Sequence, residues 1–438
     1  MPIVSQACEM ARQQILLKFN DPFHLAGHVG GSSGSRLSGR RMRRTLGLTV
    51  AVLCLGPTFC GAKTGPEGRV RVICFGDVIE QYGGFNSYVV IKTDPAIAAT
   101  LVPSRGDFLG SYKDAMRNMR MYMPRSYSLL TSDYDLIFTS DADRAVFRTD
   151  WIQWLTDSVT DGSLGLGWLG SIQGTSSYES WEGTTLAGIA PVGPSSEPNQ
   201  NIGGRFKVKI QDLEEPLMTA LPWEDSPPLA NLNTQVPKVG ATVWAMTDHP
   251  NGYPLMTYWR VGRGAILCFA SGFPDGVRLW VRDWSFFVQA TVYIAYRLVD
   301  KDVPQDALLF KQLFSEYQEY AERNSLVVSV LQFVEKFGGN VDGLYRSLAQ
   351  VAESKSAADS AYLAGEYDRS LEIMTRIRAD QVTVSKEAMA AKDGALLWIY
   401  VTEWSALMAT LLLSGSLAWA LMVKRSLYRE VGTSSLAR

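Results

Sequence analysis

Arg69-Val70-Arg71-Val72-Ile73-Cys74-Phe75-Gly76-Asp77 and Tyr134-Asp135-Leu136-Ile137-Phe138-Thr139-Ser140-Asp141 carry one pattern twice. Each is a nearly unbroken apolar run that stops at small and acidic residues. Strict alternation would mark a strand with one wet face; an unbroken run marks a strand buried on both faces, as in a parallel sheet. Outward from these two, Ser163 to Leu169 reads as a short Gly-rich strand ending at Gly170-Ser171. Ala241 to Thr247, Leu255 to Val261 and Gly264 to Ser271 read as further strands. Trp151 to Val159 and Trp284 to Val299 read as helices, the second with Phe287, Ala290, Thr291, Ile294 and Leu298 on one face. Strands alternating with helices predict an α/β fold with a mainly parallel sheet covered on both faces. Ligands of such folds favour the carboxyl ends of strands. Here those ends are Gly76-Asp77, Ser140-Asp141, Gly170-Ser171 and Ser271-Gly272.

From Pro304 the texture becomes helical. Ala361-Tyr362-Leu363-Ala364-Gly365-Glu366-Tyr367-Asp368 reads as one helix–turn–helix corner, and 301–395 as a helical stalk or small bundle. No Gly or Pro lies between Tyr367 and Asp393, so the last helix of this region is expected to run almost directly onward. Beyond it lies Trp404 to Val423, twenty residues without a charge. At about 1.5 Å per residue such a helix matches the hydrocarbon core of a bilayer. Trp398, Tyr400 and Trp404 flank it on one side, and Lys424, Arg425 and Arg429 on the other. Aromatic belts and cytoplasmic cations predict one C-terminal transmembrane helix within 396–423 and a cytoplasmic tail, 424–438. The large N-terminal portion is then expected outside the cell membrane.

The N-terminal region predicts the same orientation. Arg40, Arg41, Arg43 and Arg44 precede the apolar run Leu46 to Leu55, and Cys60-Gly61-Ala62 offers a small-x-small cleavage site. These are the three parts of a secretory signal, placed at 42–62 and cleaved after Ala62, with an uncleaved anchor or a lipid anchor at Cys60 as the alternatives. Residues 1–41 hold the low-complexity stretch Gly30-Gly31-Ser32-Ser33-Gly34-Ser35, and Met42 stands inside the Arg cluster. The expectation is a disordered upstream extension or a mis-called start.

Composition narrows the function classes. The 438 residues carry 42 Lys+Arg against 44 Asp+Glu, so no global basic field attracts nucleic acid. Mean hydropathy is −0.02, which leaves room for one or two spans and not for a polytopic protein. Five Cys form no disulfide framework and no CxxC pattern, and three His leave little for a metal. Gly83-Gly84 and Gly203-Gly204 make no GxGxxG before a helix, so no dinucleotide site is supported and no cofactor is expected. Asp133, Asp135, Asp141 and Asp143 offer oxygens for a cation, though a solvated loop accounts for them as well.

Three segments taken together carry a family resemblance. They are Gly165-Leu166-Gly167-Trp168-Leu169-Gly170-Ser171, then Tyr178-Glu179-Ser180-Trp181-Glu182-Gly183-Thr184-Thr185-Leu186 through Pro191-Val192, and then Pro254 to Ser271 followed by Trp280 and Trp284. In order and spacing they resemble the class I glutamine amidotransferase-like domains of membrane-anchored bacterial and archaeal proteins, over about residues 70–300. The resemblance implies a flavodoxin-like three-layer sandwich, placed at 63–300. Active relatives use a Cys on a strand-to-helix elbow, a His and a Glu. This chain has Gly170-Ser171 at the elbow, no Cys between Cys74 and Cys268, and His249-Pro250-Asn251 where the family has His-Pro-Glu. Asn251-Gly252 is itself a strong hairpin-turn signal. The resemblance therefore implies a degenerate module without the catalytic triad.

The expectation is a single-pass membrane protein whose extracytoplasmic domain binds a ligand or assembles with a protein partner. Candidate binding residues are Asp77, Asp141, Ser171, Tyr178, Trp181 and Trp280, the strand-end acids, hydroxyls and aromatics. Two rivals stand beside it. One is a membrane-tethered hydrolase acting through Ser171 or a carboxylate site. The other is a carbohydrate-binding surface receptor, since aromatics at strand ends can stack on sugars. A small molecule, a sugar or a protein is the expected partner, with no nucleic acid and no metal.

Overall fold

The structure is a computed structural model. It describes residues 64–65, 67–76, 91–92, 94–105, 111–170, 180–197, 201–272 and 277–434. The extension at 1–41 and the signal at 42–62 lie outside the described residues.

The strands are β1 (Val70–Gly76), β2 (Ile97–Pro103), β3 (Leu136–Ser140), β4 (Gly165–Leu169), β5 (Val192–Pro194), β6 (Asn201–Phe206), β7 (Val208–Ile210), β8 (Leu229–Asn233), β9 (Gln235–Pro237), β10 (Thr242–Thr247), β11 (Pro254–Val261) and β12 (Gly264–Phe269). Among the described residues eight of them form one sheet in the order β2-β1-β3-β4-β12-β11-β10-β7. The first five are mutually parallel and the last three antiparallel. The sheet is thus mixed. The Asp248–Gly252 turn and the tight Gly262-Arg263 turn fold β10, β11 and β12 into hairpins, and a two-residue link of that kind forces antiparallel pairing. Strand β2, Ile-Ala-Ala-Thr-Leu-Val-Pro, is half-exposed along much of its length, as an edge strand is.

Period-two alternation sorts the side chains onto two faces. On β1, Val70, Val72 and Cys74 enter one core, while Ile73 and Phe75 enter the other. The second face is covered by α1 (Tyr112–Tyr122), α2 (Tyr127–Asp133), α3 (Thr149–Thr160) and α4 (Thr185–Gly188), through Ala115, Met119, Leu130, Leu155, Val159 and Leu186. The first face is covered by α5 (Pro216–Thr219), α6 (Arg278–Asp283) and α7 (Phe287–Leu298). Each fully buried aliphatic side chain contributes about 1.5–3 kcal/mol to holding these layers together. Gly167 is small for a reason of space: a Cβ there would lie 2.2 Å from the Phe138 ring on the neighbouring strand.

Three long helices follow, α8 (Ala307–Lys336), α9 (Asp342–Leu363) and α10 (Tyr367–Ser434). The corner between α9 and α10 sits at Gly365, whose φ of 80° suits glycine. Phe310, Leu313, Tyr317, Val351, Ala358, Tyr362, Met374 and Ile377 of these helices belong to the same core as the first sheet face. The helical unit is therefore welded to the sheet rather than hung from it. A second small core, with Val330, Leu331, Val334, Leu344, Val384 and Ala388, continues along the helices. At the seam, Asp94 is buried between Tyr362 of α9 and Tyr296 of α7, with its own Ala96 N–H as a third donor.

Helix α10 is continuous for 68 residues, about 100 Å. Trp404 to Val423 lie in its last half with their side chains exposed. By length and composition this is a helix able to cross a membrane, the one such helix among the described residues.

Candidate functional site

The carboxyl ends of β1, β3, β4 and β12 converge on Asp141. The residue directly follows β3 and holds φ at 50°, a left-handed conformation that a non-glycine residue adopts rarely. Its carboxylate is lodged between two glycines. A Cβ on Gly170, at the end of β4, would come within 2.7 Å of Oδ1, and one on Gly272, past β12, within 2.9 Å of Oδ2. Arg105, two residues past β2, brings its guanidinium to 3.9 Å, and both side chains are about nine-tenths buried. The turn itself is built tightly: Gly76 has φ 120°, and a Cβ there would strike the Ser140 carbonyl.

A polar strap crosses the same strand ends. Ser271 Oγ donates to Asn231, Asn233 N–H donates to the Ala270 carbonyl, and Gln235 Nε2 donates to the Gly170 carbonyl. Asn233 Oδ1, Ser104 Oγ and Thr139 Oγ1 are buried with no hydrogen-bond partner among the described residues. Buried polar atoms without partners are costly, and a ligand or water received at the strand ends would satisfy these three. The set combines one carboxylate, one guanidinium, amides and hydroxyls. Such a set has the donors and acceptors to hydrogen-bond hydroxyl, amino or carboxyl groups.

The other candidate residues fall in three places. Asp77, Ser171 and Tyr178 lie outside the described residues. Trp181 is 2 % exposed, donates Nε1–H to the Ala142 carbonyl at 3.0 Å, and meets Trp168 and Phe147 edge-on. Trp280 is 1 % exposed, donates to the Pro227 carbonyl and packs on Trp223, Trp284 and Phe269. Both indoles lie in the core, with no exposed face to offer a sugar, because a ring this large at a strand end closes the core beneath it. Trp181 supports the site from below by fixing the carbonyl next to Asp141.

The four acids considered for a cation separate. Asp135 is paired with Arg71 at 2.8 Å, Asp143 caps the short turn Arg144–Val146 through the Ala145 N–H, and Asp133 accepts from Ser132. Among the described residues no group of three His, Cys, Asp or Glu could hold a metal ion. Cys74 and Cys268 are fully buried, and burial pushes both thiols far up, which suppresses the reactive thiolate. His249 lies at the β10–β11 turn, its Nδ1 accepting from Asn251 N–H. A solvent-open depression of about 430 Å³ lies elsewhere, beside Arg297, Asp300 and Lys301; its Arg297 is already held by Glu215.

Arg105 and the 231–235 strap were not legible as site residues. The signal for Arg105 was slight, a cation between Ser104 and Gly106 after an Ala- and Thr-containing strand.

No family model and no curated protein matches the chain. Among solved structures, a cytoplasmic protein of Salmonella typhimurium LT2 is 17 % identical with a TM-score of 0.42, over 52 % of this chain and all of that one. A second cytoplasmic protein of Salmonella typhimurium is 16 % identical with a TM-score of 0.41, over 52 % of this chain and 97 % of that one. An exo-β-1,4-mannosidase of Opitutaceae bacterium strain TAV5 is 11 % identical with a TM-score of 0.31, over 53 % of this chain and 36 % of that one.

Proposed function

We propose that this is a single-pass membrane protein whose α/β domain is a non-catalytic binding module for a small polar ligand. The fold is read as flavodoxin-like, a three-layer sandwich of the amidotransferase-like kind. The domain is placed outside the cell membrane, with α10 as stalk and span and the basic tail in the cytoplasm. The observation that carries the binding reading is Asp141, whose backbone is held at a positive φ and whose carboxylate is seated between Gly170 and Gly272 and faced by Arg105 at the strand ends. Strained conformations persist where the surrounding structure enforces them, and they gather at ligand clamps. The hydrolase acting through Ser171 or a carboxylate stands as the second reading; the buried thiols and the hairpin histidine supply no Cys–His pair for it.

The test uses the full chain in nanodiscs. Thermal shifts are measured with amino acids, monosaccharides and small dicarboxylates, for the wild type and for Asp141→Asn. A ligand that stabilises the wild type and not the variant supports the reading. Turnover of an ester, amide or glycoside panel that survives purification would replace it with the hydrolase. Topology is tested separately: a cysteine placed at Ser426 should resist an impermeant thiol reagent in intact cells.

A further inference from the structure

Helix α1 presents an unusual surface. Its buried side is narrow, Ala115 and Met119. Its outer side carries two interleaved rows at i, i+4 spacing, Tyr112-Met116-Arg120 and Lys113-Arg117-Met121, and the exposed surface continues through Tyr122, Arg125 and Leu129. Among the described residues up to Val303, eight large apolar side chains are exposed, and five of them are Tyr112, Met116, Met121, Tyr122 and Leu129. A cluster of that kind, against a scattered remainder, marks an interaction surface. The charge there is mainly positive. Lys113, Arg117, Arg120 and Arg125 make no ion pair with a described residue, and the one acid of the helix, Asp114, is turned back onto the N-cap hydroxyl of Ser111.

We infer that this face of α1 docks an acidic amphipathic segment of a partner protein, one that sets apolar side chains between carboxylates. Four cations that pair with no acid among the described residues complement that chemistry, while Met and Tyr give adaptable apolar contact. An anionic bilayer shares the charge but not the place. On the reading of α10 as the span, α1 covers the sheet face opposite the helical unit, and about 30 Å of packed helix separates Ile377 in the sheet core from the exposed apolar run at Leu397.

The experiment uses the full chain in phosphatidylcholine nanodiscs. The probe is a synthetic helical peptide with Glu and Leu in alternating i, i+4 rows, titrated at two salt concentrations. Binding is expected to weaken with salt and to fall roughly tenfold or more in Lys113→Glu/Arg117→Glu/Arg120→Glu, with a several-fold loss in Met116→Ser/Met121→Ser. The control is the equal charge reversal Arg205→Glu/Lys207→Glu/Lys209→Glu on other exposed cations, which is expected to leave binding unchanged. Unaltered thermal unfolding shows that each variant is folded. Equal loss in the control, or no loss in the α1 variants, overturns the proposal. So does α1-dependent capture of phosphatidylglycerol vesicles without peptide binding, and so does an α1-dependent self-association of the chain in sedimentation.

Discussion

The Tyr362 hydroxyl donates a 2.6 Å hydrogen bond to the carboxylate of Asp94 across the seam between the sheet and the helical unit. Tyr296 donates to the same carboxylate at 3.3 Å. Burial pushes the Asp94 carboxyl up to about 6; the Tyr362 hydroxyl, the Ala96 N–H, Lys301 and the Tyr296 hydroxyl pull the other way. Lys301 faces the seam and is itself lowered by burial. The sheet and the helices are thus joined around one acid that holds its proton to higher pH than a free carboxyl does.

Stability should follow that acid with a definite sign. The unfolded carboxyl titrates near 4, so between about pH 4 and 6 the folded state holds more protons than the unfolded one. The Asp94 contribution is therefore fully present below pH 4 and lost as pH rises through 6, on the order of 2–3 kcal/mol. Asp94→Asn removes the titration and keeps an acceptor. Melting of the full chain in detergent, compared at pH 4, 5, 6 and 7, should move in favour of the variant as pH rises. Parallel profiles for the two proteins would show that the seam does not titrate there.

Gly272→Ala should disturb Asp141 directly. The new methyl would lie 2.9 Å from Oδ2, so the carboxylate must leave its place opposite Arg105. Overpacking of this kind costs about 1–3 kcal/mol. Gly170→Ala should cost at least as much, because the residue also holds φ at 119°. Melting temperatures check the cost, and a variant as stable as the parent would count against the lodged carboxylate.

Trp181→Phe removes the Nε1–H donor to the Ala142 carbonyl while keeping a ring against Trp168 and Phe147. The loss is expected at about 1–3 kcal/mol, and Trp181→Ala at about 3–5 kcal/mol. Chemical denaturation of both variants separates the hydrogen bond from the packing. Similar values for the two would mean that the ring contributes little.

Cys74 and Cys268 should stay silent to thiol reagents until the fold opens. Both are buried, and burial raises both thiols. With Cys8, Cys54 and Cys60 replaced by Ser, maleimide labelling of the native chain should be negligible, and labelling in denaturant complete. Fast labelling of the native protein would place one thiol in an open cavity.

Much of the architecture was written in local pattern. Buried strands β1 and β3 read directly, since an apolar run long enough for one strand and too short for a helix core has few alternatives. β4, β10, β11, β12, α3 and α7 fell close to their expected places. The edge strand β2 did not, because Ala and Thr on a half-exposed strand carry no clear period. Three antiparallel strands made the sheet mixed where a mainly parallel one was expected, since strand direction is set by how the turns close. Of the strand-end residues, Asp141 was recognisable by its position. Trp181 and Trp280 were visible by type, but whether an indole faces water or core depends on what covers it.

By itself the sequence determined an α/β sheet, the corner at Gly365 and one long apolar helix near the carboxyl end. Those properties rest on short-range periodicity and on uninterrupted apolar length. Only the tertiary structure decided that Arg105 meets Asp141 across 36 residues of chain, that Gly170 and Gly272 leave room for its carboxylate, and that Asp94 ties the sheet to α9. Such meetings depend on strand order and on which loops end at the same edge, and no local pattern of residues encodes either.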